Sequence, residues 1–132
     1  MQEKELTLNE YQRRAMTTCL PSCKNDMYML FGLVEEVGEL MGKIAKGIRK
    51  EKTMVCYNKL GRHKMLVDGK EIDCGFTEEE LHDIKSEVGD CAWFIAGIAR
   101  RFGWTLEEVA QYNLDKLAKR KEQGTIVNHT DH

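Results

Sequence analysis

Five acidic residues fall in two segments at helical spacing. Glu35, Glu36 and Glu39 lie in one, Glu87 and Asp90 in the other. Residues three or four apart share a helix face, so Glu36 and Glu39 project together with Glu35 flanking, and Glu87 pairs with Asp90. Carboxylates brought together repel strongly unless a positive charge sits between them. An all-oxygen carboxylate set suits a hard divalent cation: Mg2+, with Mn2+ as a substitute. A third segment carries the opposite charge. Asn113, Lys116 and Arg120 fall at i, i+3 and i+7 on one face. A lysine and an arginine one turn apart suit a polyphosphate, the lysine as a point charge and the arginine as a fork.

Taken singly, each of these acids reads more simply as solvated helix surface. The set is harder to dismiss, because Glu36, Glu39 and Glu87 each sit beside a stripe residue, namely Val37, Leu40 and Val88. Trp93 and Phe94, one turn past Asp90, read as core, although an aromatic beside a metal–phosphate site could also stack on a base.

The acids need helices to position them, and the chain reads as four. Thr7-x-x-Glu10, Thr77-x-x-Glu80 and Thr105-x-x-Glu108 have the capping-box pattern, and each precedes apolar residues at helical spacing. The first helix is expected over 8–19, ending before Pro21. The second starts at Asn25 or Asp26 and runs to Lys50, with Leu30, Leu33, Val37, Leu40, Ile44 and Ile48 inward. The third covers 78–102, with Leu81, Ile84, Val88, Cys91, Ile95 and Ile98 inward and Gly103 as its stop. The fourth covers 106–123, with Val109, Ala110, Leu114 and Leu117 inward and Gly124 as its stop. If the second and third helices form an antiparallel hairpin, Glu39 lies about level with Glu87, because their distances from the connection are nearly equal. Four glycines in the second helix, Gly32, Gly38, Gly42 and Gly47, each cost about 1 kcal/mol against alanine and so imply close helix approach or room for a ligand.

Residues 51–76 break the helical pattern. Thr53 to Tyr57 has strand character, and Asp68-Gly69 between two short apolar runs signals a two-residue hairpin turn. This insert is rich in lysine and arginine and carries no acidic pair at ligand spacing, so it reads as an entry flap, a subunit contact or a solvated hairpin. The tail, 125–132, is polar and is expected to be loose.

Composition excludes several classes. The 132 residues fit one domain over 1–132, and 42% apolar with 32% charged residues is too apolar for a disordered chain. Twenty basic against 22 acidic residues, net −2, exclude a strongly basic nucleic-acid binder. No stretch approaches the ~20 apolar residues of a membrane span, and no signal-peptide plan opens the chain. Five cysteines, an odd number at irregular spacing, suit a reducing cytoplasmic setting. Cys19 and Cys23 lack the second close pair of a structural zinc site.

Together, Glu35-Glu36-Val-Gly-Glu39, Glu87-Val-Gly-Asp90 and Asn113-Leu-Asp-Lys116-Leu-Ala-Lys-Arg120 resemble the MazG-like all-α nucleoside triphosphate pyrophosphohydrolases, whose signature is EExxE, then ExxD, then N-x-x-K-L-x-x-R. The resemblance runs from Leu8 to Ile126 apart from the insert. The 47 residues between Glu39 and Glu87 exceed the family's usual link. The resemblance implies an all-α, four-helix MazG-like bundle, here with a small β-hairpin insert between helices two and three. It implies hydrolysis of an NTP or dNTP to the monophosphate and pyrophosphate, in control of the nucleotide pool. It implies Mg2+ on Glu36, Glu39, Glu87 and Asp90, with Glu35 either behind those ligands or orienting the attacking water. Lys116 and Arg120 would hold phosphates, and Asn113 would contact the nucleotide.

No P-loop and no Ser/His/Asp set competes. Two other classes stay open. Glu79-x-x-His82 has the spacing of a di-iron carboxylate bundle, which needs that element twice, and a non-catalytic oligomeric interaction module would also fit. A homo-oligomer, dimer or tetramer, is expected, with Ile95, Ile98, Ala99 and Phe102 needing a partner; no membrane and no stable nucleic-acid partner is expected.

Overall fold

The computed structural model describes residues 4–50 and 59–124. Four α-helices and one hairpin follow in order: α1 (Leu8–Met16), a 3-10 turn (Pro21–Cys23), α2 (Asp26–Arg49), β1 (His63–Val67), β2 (Lys70–Cys74), α3 (Glu78–Arg101) and α4 (Leu106–Glu122). The fold is mostly α with a small antiparallel hairpin between α2 and α3, as the sequence predicts. The expected strand at Thr53–Tyr57 and the expected loose tail lie outside the described residues.

The capping signals are real, with one difference. Thr77 and Thr105 form complete boxes: each hydroxyl accepts from the backbone N–H three residues on, and Glu80 and Glu108 accept in return. Thr7 forms only half of one, because the Glu10 carboxylate is drawn to Arg13 instead. Asn25 caps α2, its side-chain oxygen accepting from the Tyr28 N–H at 2.9 Å. The first helix stops at Met16, short of the expected Cys19. The Thr17 and Thr18 hydroxyls donate back to the Arg14 and Ala15 carbonyls, which ends the regular ladder before Pro21. At the end of α3, Gly103 takes a positive φ of 78°, and the Trp104 N–H reaches back to the Ala99 carbonyl at 2.8 Å.

The chain divides into two compact units. One joins the chain up to Met29 to the chain from Ile95 onward; the other is Leu30–Phe94. In the first, Met16, Met29, Ala96, Ala99 and Leu106 are buried, with the side chain of Gln12 among them. Gln12 donates to the Ala96 carbonyl at 3.2 Å and the Trp104 carbonyl at 3.0 Å, and accepts from the Leu106 N–H at 3.1 Å. One glutamine thereby ties α1 to both sides of the α3–α4 turn. Asn9 and Glu107 bond reciprocally beside it, each side chain accepting from the other's N–H at 3.0 Å.

In the second unit, α2 and α3 run antiparallel. The Phe94 ring fills the space a side chain at Gly32 would need, and the Phe76 ring does the same at Gly47. Gly38 and Gly42, by contrast, face open space. Two of the four helix glycines thus mark close approach by an aromatic ring. The hairpin pairs His63 with Cys74 through to Val67 with Lys70, closed by Asp68 and Gly69, both at positive φ.

Several expected core positions are not covered by their own chain. Leu33, Leu40, Ile44, Leu81, Ile84, Cys91, Ile98 and Ala110 are half-buried, but Leu30, Val37, Ile48, Val88, Ile95, Val109, Leu114 and Leu117 are exposed. The core is filled instead by aromatic rings and by small residues such as Ala96 and Ala99. Of the four residues expected to need a partner, Ala99 is buried and Ile98 half-buried within the chain, whereas Ile95 and Phe102 remain exposed.

Candidate metal centre

The centre is built in the Leu30–Phe94 unit. Glu36 on α2 faces Glu87 and Asp90 on α3, and one ligand oxygen from each lies within 4.8 Å of the others. It is the one group of potential ligand side chains of this kind among the described residues. Glu36 sits almost one full turn past Leu33, and Glu87 and Asp90 are three apart, so helical periodicity delivers all three to one line of contact.

The electrostatics show what the arrangement costs without a cation. Partial burial pushes the Glu36 carboxyl above the usual carboxylate range; the negative charges of Asp90 and Glu87, a hydrogen bond with Glu87 and the charge of Glu35 push it further. The neighbouring Cys91 thiol is raised too, by burial first and then by Glu36, Asp90 and Glu87. Among the described residues, no lysine or arginine forms an ion pair with any of the three acids. Two oxygens on one six-coordinate cation at ~2.1 Å lie about 3–4 Å apart. A spacing within 4.8 Å is therefore matched by small side-chain adjustments. Clustered oxygens, no basic counterpart and a raised carboxyl pKa are what a hard divalent cation would satisfy.

The remaining expected residues are placed as follows. Glu35 and Glu39 are exposed on α2 and are not part of the three-residue group. Trp93 is half-buried, its ring edge-to-face against Phe94 with centroids 4.9 Å apart. Asn113 and Lys116 are exposed on α4 and Arg120 is half-buried there. Glu79 and His82 join no ligand group among the described residues, so the di-iron pattern gains no support. Cys19 and Cys23 are free thiols.

Sequence reasoning missed a cleft in the same unit. It lies at the hairpin end of α2 and α3, holds about 400 Å3, and is lined by Lys43, Lys46, Lys50, Phe76, Thr77, Glu79, Glu80, Asp83 and Ile84. The signal was present: Lys43 and Lys50 follow Glu36 at i+7 and i+14, on its own helix face.

Residues 25–125 match the family model of the MazG nucleotide pyrophosphohydrolase domain. The chain is also similar to the Gene 37 protein of Mycobacterium phage L5, at 30% identity over 104 residues, covering 79% of this chain and 73% of that protein. No solved structure matches it.

Proposed function

The chain belongs to the MazG nucleotide pyrophosphohydrolase family, and from that membership we propose that it is a Mg2+-dependent hydrolase of nucleoside triphosphates. The reaction takes an NTP or dNTP and water to the monophosphate and pyrophosphate. Water supplies the oxygen that forms the new P–O bond, the α–β phosphoanhydride breaks, and pyrophosphate leaves.

The observation that carries this reading is the convergence of Glu36, Glu87 and Asp90 with no basic partner among the described residues. These three would hold the cation, Mg2+ or Mn2+. Glu39, one turn along from Glu36, would join as the fourth ligand by turning its exposed side chain. When bound, the cation supplies neutralisation of charge on the phosphate oxygens. Glu35, whose charge already acts on Glu36, would orient the attacking water and take up its proton. Lys116 and Arg120 would bind phosphate oxygens, the arginine through its fork, and Asn113 would contact the nucleotide.

The family match spans residues from both compact units, which supports one functional domain over the whole chain. A homo-oligomer is part of the same proposal. It is supported by the exposed apolar side chains of α2, among them Met27, Phe31, Val34 and Met41. Among the described residues no helix is long and apolar enough to cross a membrane. A cytoplasmic setting is supported by the free thiols Cys19, Cys23, Cys74 and Cys91.

The test is pyrophosphate release with Mg2+ over a panel of ribo- and deoxynucleoside triphosphates. Cation-dependent release from at least one member is expected; none from any member would overturn the assignment.

A further inference from the structure

We propose that the cleft at the hairpin end of α2 and α3 reads the base of the nucleotide, with Lys43 and Lys46 donating to carbonyl oxygen and Asp83 accepting from an amino group. This rests on the pyrophosphohydrolase reading and names the substrate class of that site.

Position comes first. The cleft lies within the same unit as Glu36, Glu87 and Asp90, along the same two helix faces. Lys43 is seven residues beyond Glu36 on α2, a rise of about 10 Å, and Asp83 is four residues before Glu87 on α3, about 6 Å. A nucleotide whose phosphates sit on the acidic group spans that offset with its sugar and base. The volume of about 400 Å3 falls within the usual range for a small-molecule pocket.

Charge then decides which part of the nucleotide belongs there. A cleft of lysines alone would suit phosphates. This one also carries Glu79, Glu80 and Asp83, which repel a polyanion. Glu80 is occupied by the Thr77 cap. Among the described residues Glu79 and Asp83 form no ion pair with Lys43, Lys46 or Lys50, so donors and acceptors line one cleft without neutralising one another. Phe76 and Ile84 add apolar lining for a planar ring. Mixed donors and acceptors over an apolar floor recognise a base edge. Cytosine and guanine present an amino donor beside a carbonyl acceptor. Adenine lacks the carbonyl, and uracil and thymine lack the amino group.

The experiment compares kcat/KM for the cytosine, guanine, adenine and thymine deoxynucleoside triphosphates in the wild type and in Lys46→Ala, Asp83→Ala and Trp93→Leu. Lys46 and Asp83 are exposed, so their removal leaves the fold intact, and unchanged thermal melting confirms it. The wild type is expected to prefer dCTP or dGTP over dATP and dTTP by about 5- to 150-fold, the range for one good base-edge pairing. Lys46→Ala and Asp83→Ala should collapse that ratio to within a few-fold. Four results overturn the proposal: a wild type without this preference; both variants keeping it; both losing activity on every nucleotide by one common factor, as a phosphate site would; or Trp93→Leu alone abolishing it. Calorimetric titration with the α,β-methylene analogues of dCTP, dGTP and dTTP reads the same ratio without turnover. A protein that binds these with the stated preference but releases no pyrophosphate would fail the hydrolase reading and keep the base site.

Discussion

Glu36 on α2 faces Glu87 on α3, with a carboxylate oxygen of each within 4.8 Å of the other. At that separation the charge of Glu87 opposes ionisation of Glu36, and a cation placed between them would relieve it. Glu36 is raised by burial first, then by Asp90 and Glu87, so the folded protein binds a proton there more tightly than the unfolded chain does. The stabilisation is fully present below the ordinary carboxylate range and is lost as pH rises through the raised value. In the metal-free protein, Glu36→Gln should thus melt higher than the wild type at about pH 7.5, and the gap should close by about pH 4. Adding Mg2+ at the higher pH should reverse the order if Glu36 is one of the cation's ligands, since binding then stabilises the wild type alone. Thermal melts at the two pH values, with chelator and with Mg2+, check this. A variant that melts lower than the metal-free wild type at the higher pH would show that Glu36 is not repelled there.

Activity tells whether Glu39 joins the three grouped acids as the fourth ligand. Glu87→Gln and Asp90→Asn should each lower kcat by about 10²-fold or more, since a lost ligand forfeits several kcal/mol of charge stabilisation and each 1.4 kcal/mol is tenfold. Glu39 is exposed and outside the group. If it turns inward on cation binding, Glu39→Gln falls as far as the others; if it stays outside, kcat holds within a few-fold while the group's variants fail. Steady-state rates under saturating Mg2+ decide.

Much of this centre was legible in the sequence because helix periodicity is a strong constraint. Glu36, Glu87 and Asp90 needed only their spacing and an antiparallel pairing of two helices to converge. The cap residues Thr77 and Thr105 and the stop at Gly103 were equally local signals. What spacing could not supply was the identity of the long-range partners. Nothing near Gln12 announces a side chain that bonds to Ala96, Trp104 and Leu106, because those partners lie more than eighty residues away. By sequence Phe76 is the last residue of the insert, and it is 1% exposed, its ring packed against Gly47. The apolar stripes misled in the other direction. Periodicity shows which face is apolar but not whether the same chain covers it, and Val37, Val88 and Leu114 are left exposed.

The glycines of α2 give a paired stability test. A Cβ at position 47 would come within 2.2 Å of a Phe76 ring carbon, whereas at position 42 it would meet nothing within 4 Å. Gly47→Ala should therefore destabilise by about 1–3 kcal/mol, the usual cost of overpacking. Gly42→Ala should stabilise by about 0.5–1 kcal/mol through helix propensity and the restricted unfolded chain. Denaturant unfolding of both variants beside the wild type measures the difference. Equal effects of the same sign would mean that the Phe76 contact does not constrain α2.

α2 leaves an apolar face uncovered. Phe31 is 65% exposed, Val34 72% and Met41 50%, and Met27 continues the stripe one turn earlier. Burying one such side chain contributes about 1.5–3 kcal/mol, so a helix that shows several at once is stabilised by a second apolar surface. A second copy of the chain brings the same stripe, and a two-fold axis lets the two faces meet on themselves. Light scattering at micromolar concentration should then give at least twice the 15.2 kDa of one chain. Val34→Glu and Phe31→Glu place a charge in the middle of that surface, where desolvation without a partner is costly. Each should shift the mass toward the monomer while circular dichroism keeps its helical signal. A wild type that runs as a monomer, or a Val34→Glu variant that keeps the wild-type mass, would show that the α2 stripe is not the contact.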